Sequence, residues 1–355
     1  MSKVLMKGNE AIGEAAIRSG CLNYFAYPIT PQSEVAEYLA RRMPEVGGVF
    51  LQGESEVAVS YMIFGAAAAG ARVFTTSSSP GISLMSEGIS YMAGAQCPAV
   101  FVNIMRGGPG LGGILPSQAD YFQATKSMGH GDFRLLVMAP ASVQEAVEMM
   151  MDAFPLAEKY RNPVMILGDG LIGQMMEPVE FPDSKKTEPL NNDAWATSGL
   201  DTRKSDTRNL VKSLFLDPEA LNNNNLLLKS KYEQMKREEV RFEAYNTDSA
   251  YNVLIVSYGT MSRVCRTAID SMKAEGIEVG MIRPQTLFPF PEDPIRAAAD
   301  VTHCSVVASI EMSMGQMIED IERSVQGKKP VKWFGKCGGD VPTPEEVVAF
   351  IHTLL

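Results

Sequence analysis

Four short stretches carry the side chains that could do chemistry. Gly53-Glu54-Ser55-Glu56 sets two carboxylates at the start of a helical run of small residues that reaches Gly65-Ala-Ala-Ala-Ala-Gly70. Two apart on a helix, Glu54 and Glu56 cannot share a face, so at most one points into a site. Such a carboxylate could hold a proton for catalysis, or it could serve only the macrodipole of its helix. Tyr27-Pro-Ile-Thr-Pro31 offers the Thr30 hydroxyl, which could bind a ligand or cap a helix with Pro31 in its first position. Ser77-Ser-Ser-Pro-Gly81 is a polar loop. Arg106-Gly-Gly-Pro-Gly-Leu-Gly-Gly113 presents Arg106, a side chain suited to clamping a carboxylate and equally able to be a plain surface charge. The glycines after it match neither G-x-x-x-x-G-K-[ST] nor a G-x-G-x-x-G turn into a helix, so they read as a flexible lid rather than a phosphate cradle.

Short apolar strands alternate with helical runs and place these stretches. Ala11, Ile12, Ala15 and Ala16 recur at helical spacing before Gly20. A strand over 24–27 precedes Thr30, one over 49–51 precedes the acidic pair, one over 72–75 precedes the serines, and one over 99–104 precedes Arg106. Strands over 135–138 and 164–167 and helices over 54–70, 82–94, 118–127 and 142–159 complete the pattern. It predicts an α/β fold with a doubly wound parallel sheet. Loops that follow the strands open on the carboxyl edge of such a sheet, so Thr30, Glu56, Ser79 and Arg106 should converge there.

This first unit is expected to span residues 1–174. Beyond Gly173 the periodicity fails: Pro178, Pro182 and Pro189 interrupt it, while Lys185-Lys186, Arg203-Lys204 and Asn222-Asn-Asn-Asn225 mark exposed connection. Residues 226–245 read as a charged helix with Leu228, Tyr232 and Met235 on its apolar side. Residues 175–251 are therefore expected to form an extended interdomain arm with that helix. A smaller α/β unit over 252–355 has strands at 253–257, 279–282, 305–309 and 331–334, with helices at 261–275, 292–299, 314–325 and 343–354. Its chemically tempting residues, His303 and Glu311, are expected to be structural.

Whole-chain properties remove several functions. A chain of 355 residues with 45% hydrophobic and 21% charged content can bury a core, and its net charge of -10 opposes a nucleic-acid footprint. Cys21, Cys97, Cys265, Cys304 and Cys337 are scattered, as are His130, His303 and His352, so no cluster or zinc site can be drawn from their spacing. Unpatterned, odd-numbered cysteines suit a reducing compartment. With no signal-peptide core at the N-terminus and no apolar run of roughly 20 residues, a cytoplasmic chain without membrane contact is expected.

At Tyr27-Pro-Ile-Thr-Pro31, Glu54-Ser-Glu56, Ser77-Ser-Ser-Pro-Gly81 and Arg106-Gly-Gly-Pro109, the chain resembles the α-type subunit of 2-oxoacid:ferredoxin oxidoreductases. The resemblance covers most of the chain and implies a thiamine-pyrimidine-binding fold followed by a transketolase-C-terminal-like domain. It implies that Thr30 and Arg106 bind the substrate, that Glu56 is catalytic and contacts the aminopyrimidine of thiamine diphosphate, and that Ser79, Pro80 and Gly81 border the cofactor. A carboxylate hydrogen-bonded to N1′ favours the imino form, whose exocyclic nitrogen can take the thiazolium C2 proton. Decarboxylation, transfer to coenzyme A and electron transfer to an external ferredoxin would complete the family's reaction.

The resemblance further implies a β-type thiamine diphosphate-binding subunit, a γ-type subunit and a small ferredoxin-like subunit. No metal is assigned to this chain: Mg²⁺ and the iron–sulfur clusters would belong to the partners. Gly168-Asp169-Gly170 with Asn191-Asn192 imitates a diphosphate motif, but the gap is too short and crossed by prolines, so Asp169 is expected to cap or turn the chain. A stand-alone transketolase-like synthase and a noncatalytic scaffold of the same fold are the rival readings. For the substrate, Leu111, Ile114, Leu115, Tyr121 and Phe122 offer an aliphatic lining, and no cation follows Arg106 before Lys126. A second carboxylate would need one. The run Gly112-Gly-Ile-Leu-Pro-Ser-Gln-Ala-Asp-Tyr-Phe-Gln-Ala124 also resembles the branched-chain, 2-oxoisovalerate members more than the 2-oxoglutarate ones, with a 2-oxoglutarate- or pyruvate-specific member as the alternative.

Overall fold

The computed structural model describes residues 3–126, 128–182, 192–199 and 208–355. Lys185, Lys186, Pro189, Asn191, Arg203 and Lys204 of the expected arm lie outside the described residues. In chain order the first elements are β1 (Val4–Lys7), α1 (Gly8–Arg18), β2 (Asn23–Ala26), α2 (Ser33–Glu45), β3 (Val49–Gln52), α3 (Glu56–Ala68), β4 (Phe74–Ser77) and α4 (Pro80–Gly94). They continue as β5 (Val100–Met105), α5 (Tyr121–Thr125), β6 (Leu136–Met138), α6 (Val143–Tyr160), β7 (Val164–Asp169), α7 (Gly170–Gln174) and β8 (Met176–Val179). The remainder comprises α8 (Pro218–Glu238), β9 (Phe242–Tyr245), β10 (Val253–Val256), α9 (Gly259–Ala274), β11 (Val279–Pro284), β12 (Thr286–Phe288), α10 (Glu292–Ala299), β13 (Val306–Glu311), α11 (Ile318–Val325), β14 (Val331–Gly335) and α12 (Pro344–His352).

The six strands expected in the first unit pair in parallel, in the order β6-β7-β5-β4-β2-β3. Every residue of β5 and β7 is buried, the run expected of strands covered by helices on both faces. A smaller sheet, β14-β13-β10-β11-β9, forms the second unit. Helix starts carry their own signals: Ser142 accepts from the Glu145 amide, and Thr343 with Glu346 makes a complete capping box.

Several elements differ from expectation, through a local cap in one case and through distant strand partners in the others. The charged helix begins at Pro218, capped by Asp217, and so takes in Asn222–Asn225; it stops at Glu238 rather than continuing to Tyr245. Leu228, Tyr232 and Met235 are its buried side, as the pattern indicated. Residues 242–245 instead form β9, antiparallel to β11. β8 pairs antiparallel with β1, and β12 joins the first sheet beside β6.

The two sheets share one core. A single apolar cluster runs from Ile12 and Phe101 of the first unit through Tyr251, Leu254, Tyr258 and Ile295 of the second, while Val253, Ile255 and Met281 face a separate cluster with α9 and α12. Gln118 joins the units with a buried amide whose Nε2 donates to the Tyr258 carbonyl and whose Oε1 accepts from the Met312 amide, both at 2.9 Å. Glu311 is structural, as expected: buried at the end of β13, it accepts from Ser309 and Ser313 and from the amides of Gln316, Met317 and Ile318. His303 packs its ring edge-on against Tyr251.

Candidate functional site

The carboxyl ends of β2, β3, β4 and β5 lead into the loops or helix starts that hold Thr30, Glu56, Ser79 and Arg106. Ser55 caps α3 by accepting from the Ala58 amide at 3.2 Å, which makes Glu56 the first helical residue. That register answers which acid turns inward: Glu54 is exposed and Glu56 is buried. No donor among the described residues hydrogen-bonds the Glu56 carboxylate. A Cβ built on Gly81 would lie 2.9 Å from Glu56 Oε1 and 2.2 Å from Ser77 Oγ, so the start of α4 can approach the acid this closely only as glycine. Farther along the same pair of helices, a Cβ on Gly88 would sit 2.3 Å from Ser60 Oγ, which explains the small-residue composition.

Ser79 anchors the neighbouring loop. Its φ of 29° lies where few non-glycine residues are found, a conformation that costs on the order of 1–3 kcal/mol and is held by surrounding bonds. The Ser79 amide donates to Asn103 Oδ1 at 2.9 Å, and its hydroxyl donates to Asp120 Oδ2 at 2.6 Å. Asn103 Nδ2 donates to the same Asp120 oxygen at 2.9 Å, and the Arg106 amide donates to Ser79 Oγ at 3.0 Å. Burial pushes the Asp120 carboxyl above its ordinary range, opposed by these bonds from Ser79 and Asn103 and by the nearby Arg106 charge. Asp120 and Asn103 escaped the sequence reading, although a lone amide within Val100-Phe-Val-Asn-Ile-Met105 was a visible signal.

Thr30 and Arg106 are brought together, but not as a simple hydroxyl and a free clamp. α2 starts at Ser33 after Gln32, and no side chain caps it, so Thr30 is not its cap. The Thr30 backbone is turned to Arg106 instead: the buried guanidinium donates from Nη1 to the Thr30 carbonyl at 2.9 Å and from Nη2 to the Leu111 carbonyl at 3.1 Å. Among the described residues, Arg106 Nε has no partner. Neither have the buried hydroxyls of Thr75, Ser77 and Ser78 or the Gln32 Nε2. Buried polar atoms without partners each cost on the order of 1–3 kcal/mol. Their gathering along this edge, beside an unpaired carboxylate, fits a surface completed by a polar molecule.

The aliphatic lining divides in two. Leu111, Ile114 and Leu115 are 84%, 58% and 57% exposed on the loop after Arg106. Tyr121 is fully buried and donates its hydroxyl to Asp320, so it belongs to the junction between the units rather than to an open wall. Lys126, the nearest cation along the chain, ion-pairs with the same Asp320 at 2.6 Å. Asp169 caps α7 as expected, accepting from the Leu171 and Ile172 amides at 2.9 and 3.2 Å. Asn192 bonds the Gly70 carbonyl. Among the described residues, no group of three or more His, Cys, Asp or Glu is arranged to hold a metal, and no helix is long and apolar enough to cross a membrane.

Residues 14–217 match the family described as pyruvate flavodoxin/ferredoxin oxidoreductase, thiamine diP-bdg, and residues 252–347 match pyruvate:ferredoxin oxidoreductase core domain II. The chain is 49% identical to the ketoisovalerate oxidoreductase subunit VorB of Methanothermobacter thermautotrophicus over 99% of this chain and 98% of that one. It is 34% identical to the 2-oxoglutarate synthase subunit KorA of the same organism, covering 98% of this chain and 97% of that one. A solved structure of 2-oxoglutarate:ferredoxin oxidoreductase from Magnetococcus marinus, with 2-oxoglutarate, coenzyme A and succinyl-CoA bound, superposes with a TM-score of 0.87 at 28% identity. That superposition covers 99% of this chain, which spans 65% of the larger one. A split-gene transketolase in an inactive tetramer shares the fold, with a TM-score of 0.59 at 16% identity over 98% of this chain and 97% of that one.

Proposed function

Because the chain belongs to the 2-oxoacid:ferredoxin oxidoreductase family, whose members are subunits of larger enzymes, we propose that it supplies the pyrimidine-facing half of a thiamine diphosphate site for branched-chain 2-oxoacids. The observation that carries this reading is Glu56: a buried carboxylate, unpaired among the described residues, wedged against Gly81 at the sheet's carboxyl edge. The residues present fit the pyrimidine end, since an acceptor oxygen and several unpartnered donors surround the place it would occupy. When bound, thiamine diphosphate supplies the carbon nucleophile and the electron sink for decarboxylation.

Glu56 would accept a hydrogen bond from the pyrimidine N1′ and hold the proton there, in an edge where low dielectric strengthens the interaction. Ser79, strained and locked by Asn103 and Asp120, positions Pro80 and Gly81 so that α4 closes over that carboxylate. Arg106 is the cation for the substrate carboxylate, with the Thr30 hydroxyl beside it. Substrate binding would exchange the Leu111 carbonyl for a carboxylate on the guanidinium, a stronger, charge-assisted partner.

The substrate assignment rests on two supports. Leu111, Ile114 and Leu115 provide apolar contact next to Arg106, and Lys126, which a dicarboxylate would need, is engaged by Asp320. Both relatives near half identity are called ketoisovalerate oxidoreductase subunits. We assign Mg²⁺, the diphosphate and the iron–sulfur clusters to partners: a β-type subunit, a γ-type subunit and a small ferredoxin-like subunit, with coenzyme A as acyl acceptor and external ferredoxin as electron acceptor. Val57, Tyr61 and Leu84, exposed on α3 and α4 next to Glu56, suit the β-type subunit's seat. Residues 1–174 would bind the pyrimidine and the substrate, 175–251 would connect, and 252–355 would form the transketolase-C-terminal-like domain, in a cytoplasmic complex.

Glu56→Gln tests the central claim. The amide keeps the shape but is a poorer partner for a protonated N1′, so the reconstituted complex should lose about 10²–10⁴-fold in turnover while thiamine diphosphate still binds. Near-wild-type turnover with Glu56→Gln would remove the half-site. Assayed side by side on wild type, 2-oxoisovalerate should give a higher kcat/KM than pyruvate or 2-oxoglutarate. The reverse order would overturn the substrate assignment and leave the half-site intact.

A further inference from the structure

Ion pairing across the molecule isolates two arginines. Among the described residues, every buried or partly buried arginine is paired with a carboxylate except Arg106 and Arg161. Arg106 belongs to the substrate edge. Arg161 lies beyond the far end of α4, where it ends α6 in a left-handed conformation and donates from Nε to the Gln96 carbonyl at 3.2 Å. The 15 residues of α4 separate Pro80, beside Glu56, from Gly94 at this second place, a distance of roughly 22 Å along a helix.

A cleft of about 350 Å³ opens here, lined by Arg161, Arg208 and Lys212, by Trp195 and Phe215, and by Gln96. Among the described residues, no Asp or Glu lines it. The Arg161 guanidinium lies 4.5 Å over the Trp195 ring and Lys212 Nζ lies 4.9 Å over Phe215, while neither Arg208 nor Lys212 forms an ion pair among the described residues. Collecting like charges on a partly shielded surface is unfavourable, and in a chain of net charge -10 it is not an average property of the surface. The strain is visible next door: Lys231, whose Nζ donates to the Arg161 carbonyl at 3.1 Å, is pushed down to about 7 by burial and then by the Arg161 charge. A bound anion would relieve both the unpaired guanidinium and this repulsion.

We propose that the cleft binds a small organic phosphate of the nucleotide class, with its phosphates on Arg161, Arg208 and Lys212 and its ring system against the aromatic side chains. Phosphate suits a set of arginines with several donors each. The space exceeds what an inorganic anion needs and falls in the range of small-molecule pockets. The two aromatic rings and the neighbouring Gln96 give a base something to contact.

Equilibrium dialysis of the assembled complex tests this, with thiamine diphosphate held at saturation so that its own site is not counted. ADP is the probe, and inorganic phosphate and adenosine are competitors. Wild type should bind one more ADP per chain than Arg208→Ala/Lys212→Ala, or bind that ADP at least tenfold more tightly, with adenosine competing weakly. Both substituted side chains are exposed, so the core is untouched; Arg208→Gln/Lys212→Gln keeps the surface polar and should behave alike. Equal ADP binding by wild type and both variants, or none by any, overturns the site. Competition by inorganic phosphate as strong as by ADP itself overturns the nucleotide assignment.

Discussion

Gly81→Ala should damage catalysis through geometry alone, because it adds one methyl group and removes no functional atom. The new Cβ would stand 2.2 Å from Ser77 Oγ and 2.9 Å from Glu56 Oε1, against an ordinary contact of 3.4 Å or more. Relief requires Ser77 to retreat by roughly 1.2 Å and the Glu56 carboxylate by roughly 0.5 Å, or α4 to lift. Overpacking of this kind costs about 1–3 kcal/mol of stability. A 1 Å misplacement of a catalytic group costs on the order of 10²-fold. For Glu56, kcat should therefore fall about 10- to 100-fold, or roughly 1.4–2.7 kcal/mol of transition-state stabilisation. The KM for the 2-oxoacid should change less, because Thr30 and Arg106 hang from other strands. Initial rates of acyl-CoA formation by the reconstituted complex, with urea unfolding of the same variant, measure both quantities. Ser77→Ala in the Gly81→Ala background removes the worse clash and should recover part of the lost stability, a coupling visible in a double-mutant cycle. A folded Gly81→Ala complex with wild-type kcat would refute the claim that Glu56 is held in working position by this contact.

Arg106→Ala should raise the KM for 2-oxoacid strongly, and it should also destabilise the chain by about 1–3 kcal/mol, because the buried guanidinium ties the Thr30 and Leu111 carbonyls together; steady-state kinetics and denaturant unfolding separate the two effects. Gly339→Ala would bring a Cβ within 2.4 Å of Leu115 Cβ, so the loop of the second unit should push on the substrate loop and lower kcat/KM for branched-chain substrates, with the carboxylate-only analogue glyoxylate affected less. Lys231→Met should flatten the rise of stability with pH. The folded pKa of Lys231 is pushed down to about 7 from 10.5, so the unfolded chain binds the extra proton between those values and wild type should gain stability as pH increases above 7. Urea midpoints at pH 7 and pH 9 for both proteins check the sign.

What could be seen in the sequence and what could not divides along the range of the interaction. The parallel strands were legible because each is a short apolar run whose burial depends on its own composition, as in Val100–Met105. Asp169 was legible as a cap because its partners are the amides of residues 171 and 172. The choice between Glu54 and Glu56 was narrowed by helical spacing and decided by Ser55, one residue away. By contrast, β9 (Phe-Glu-Ala-Tyr) is not an apolar run and β12 follows β11 with one residue between them, so both exist because β11 and β6 stand ready to pair with them. Tyr121 looked like lining because its neighbours are apolar, yet its hydroxyl answers to Asp320, 199 residues later, which also takes Lys126.

Arginine makes the same point about function. Arg106, Arg161 and Arg283 are the same residue type, and of the three only Arg106, followed by Gly-Gly-Pro, sits in a motif that singles it out in the sequence. Arg283 is neutralised by Glu145 and Glu243 from different elements, which makes it part of the frame between the units. Among the described residues the Arg106 and Arg161 guanidiniums hydrogen-bond only to carbonyls, and Arg161 also lies over the Trp195 ring, so neither makes a direct ion pair in its partial shelter from water. A sheltered charge without a counter-charge is unfavourable in the isolated chain and becomes favourable only when an anion arrives. On that ground the edge at Arg106 and the cleft at Arg161 meet the same physical criterion for a proposed anion site, and the pairing pattern distinguishes them from the structural arginines before any ligand is placed.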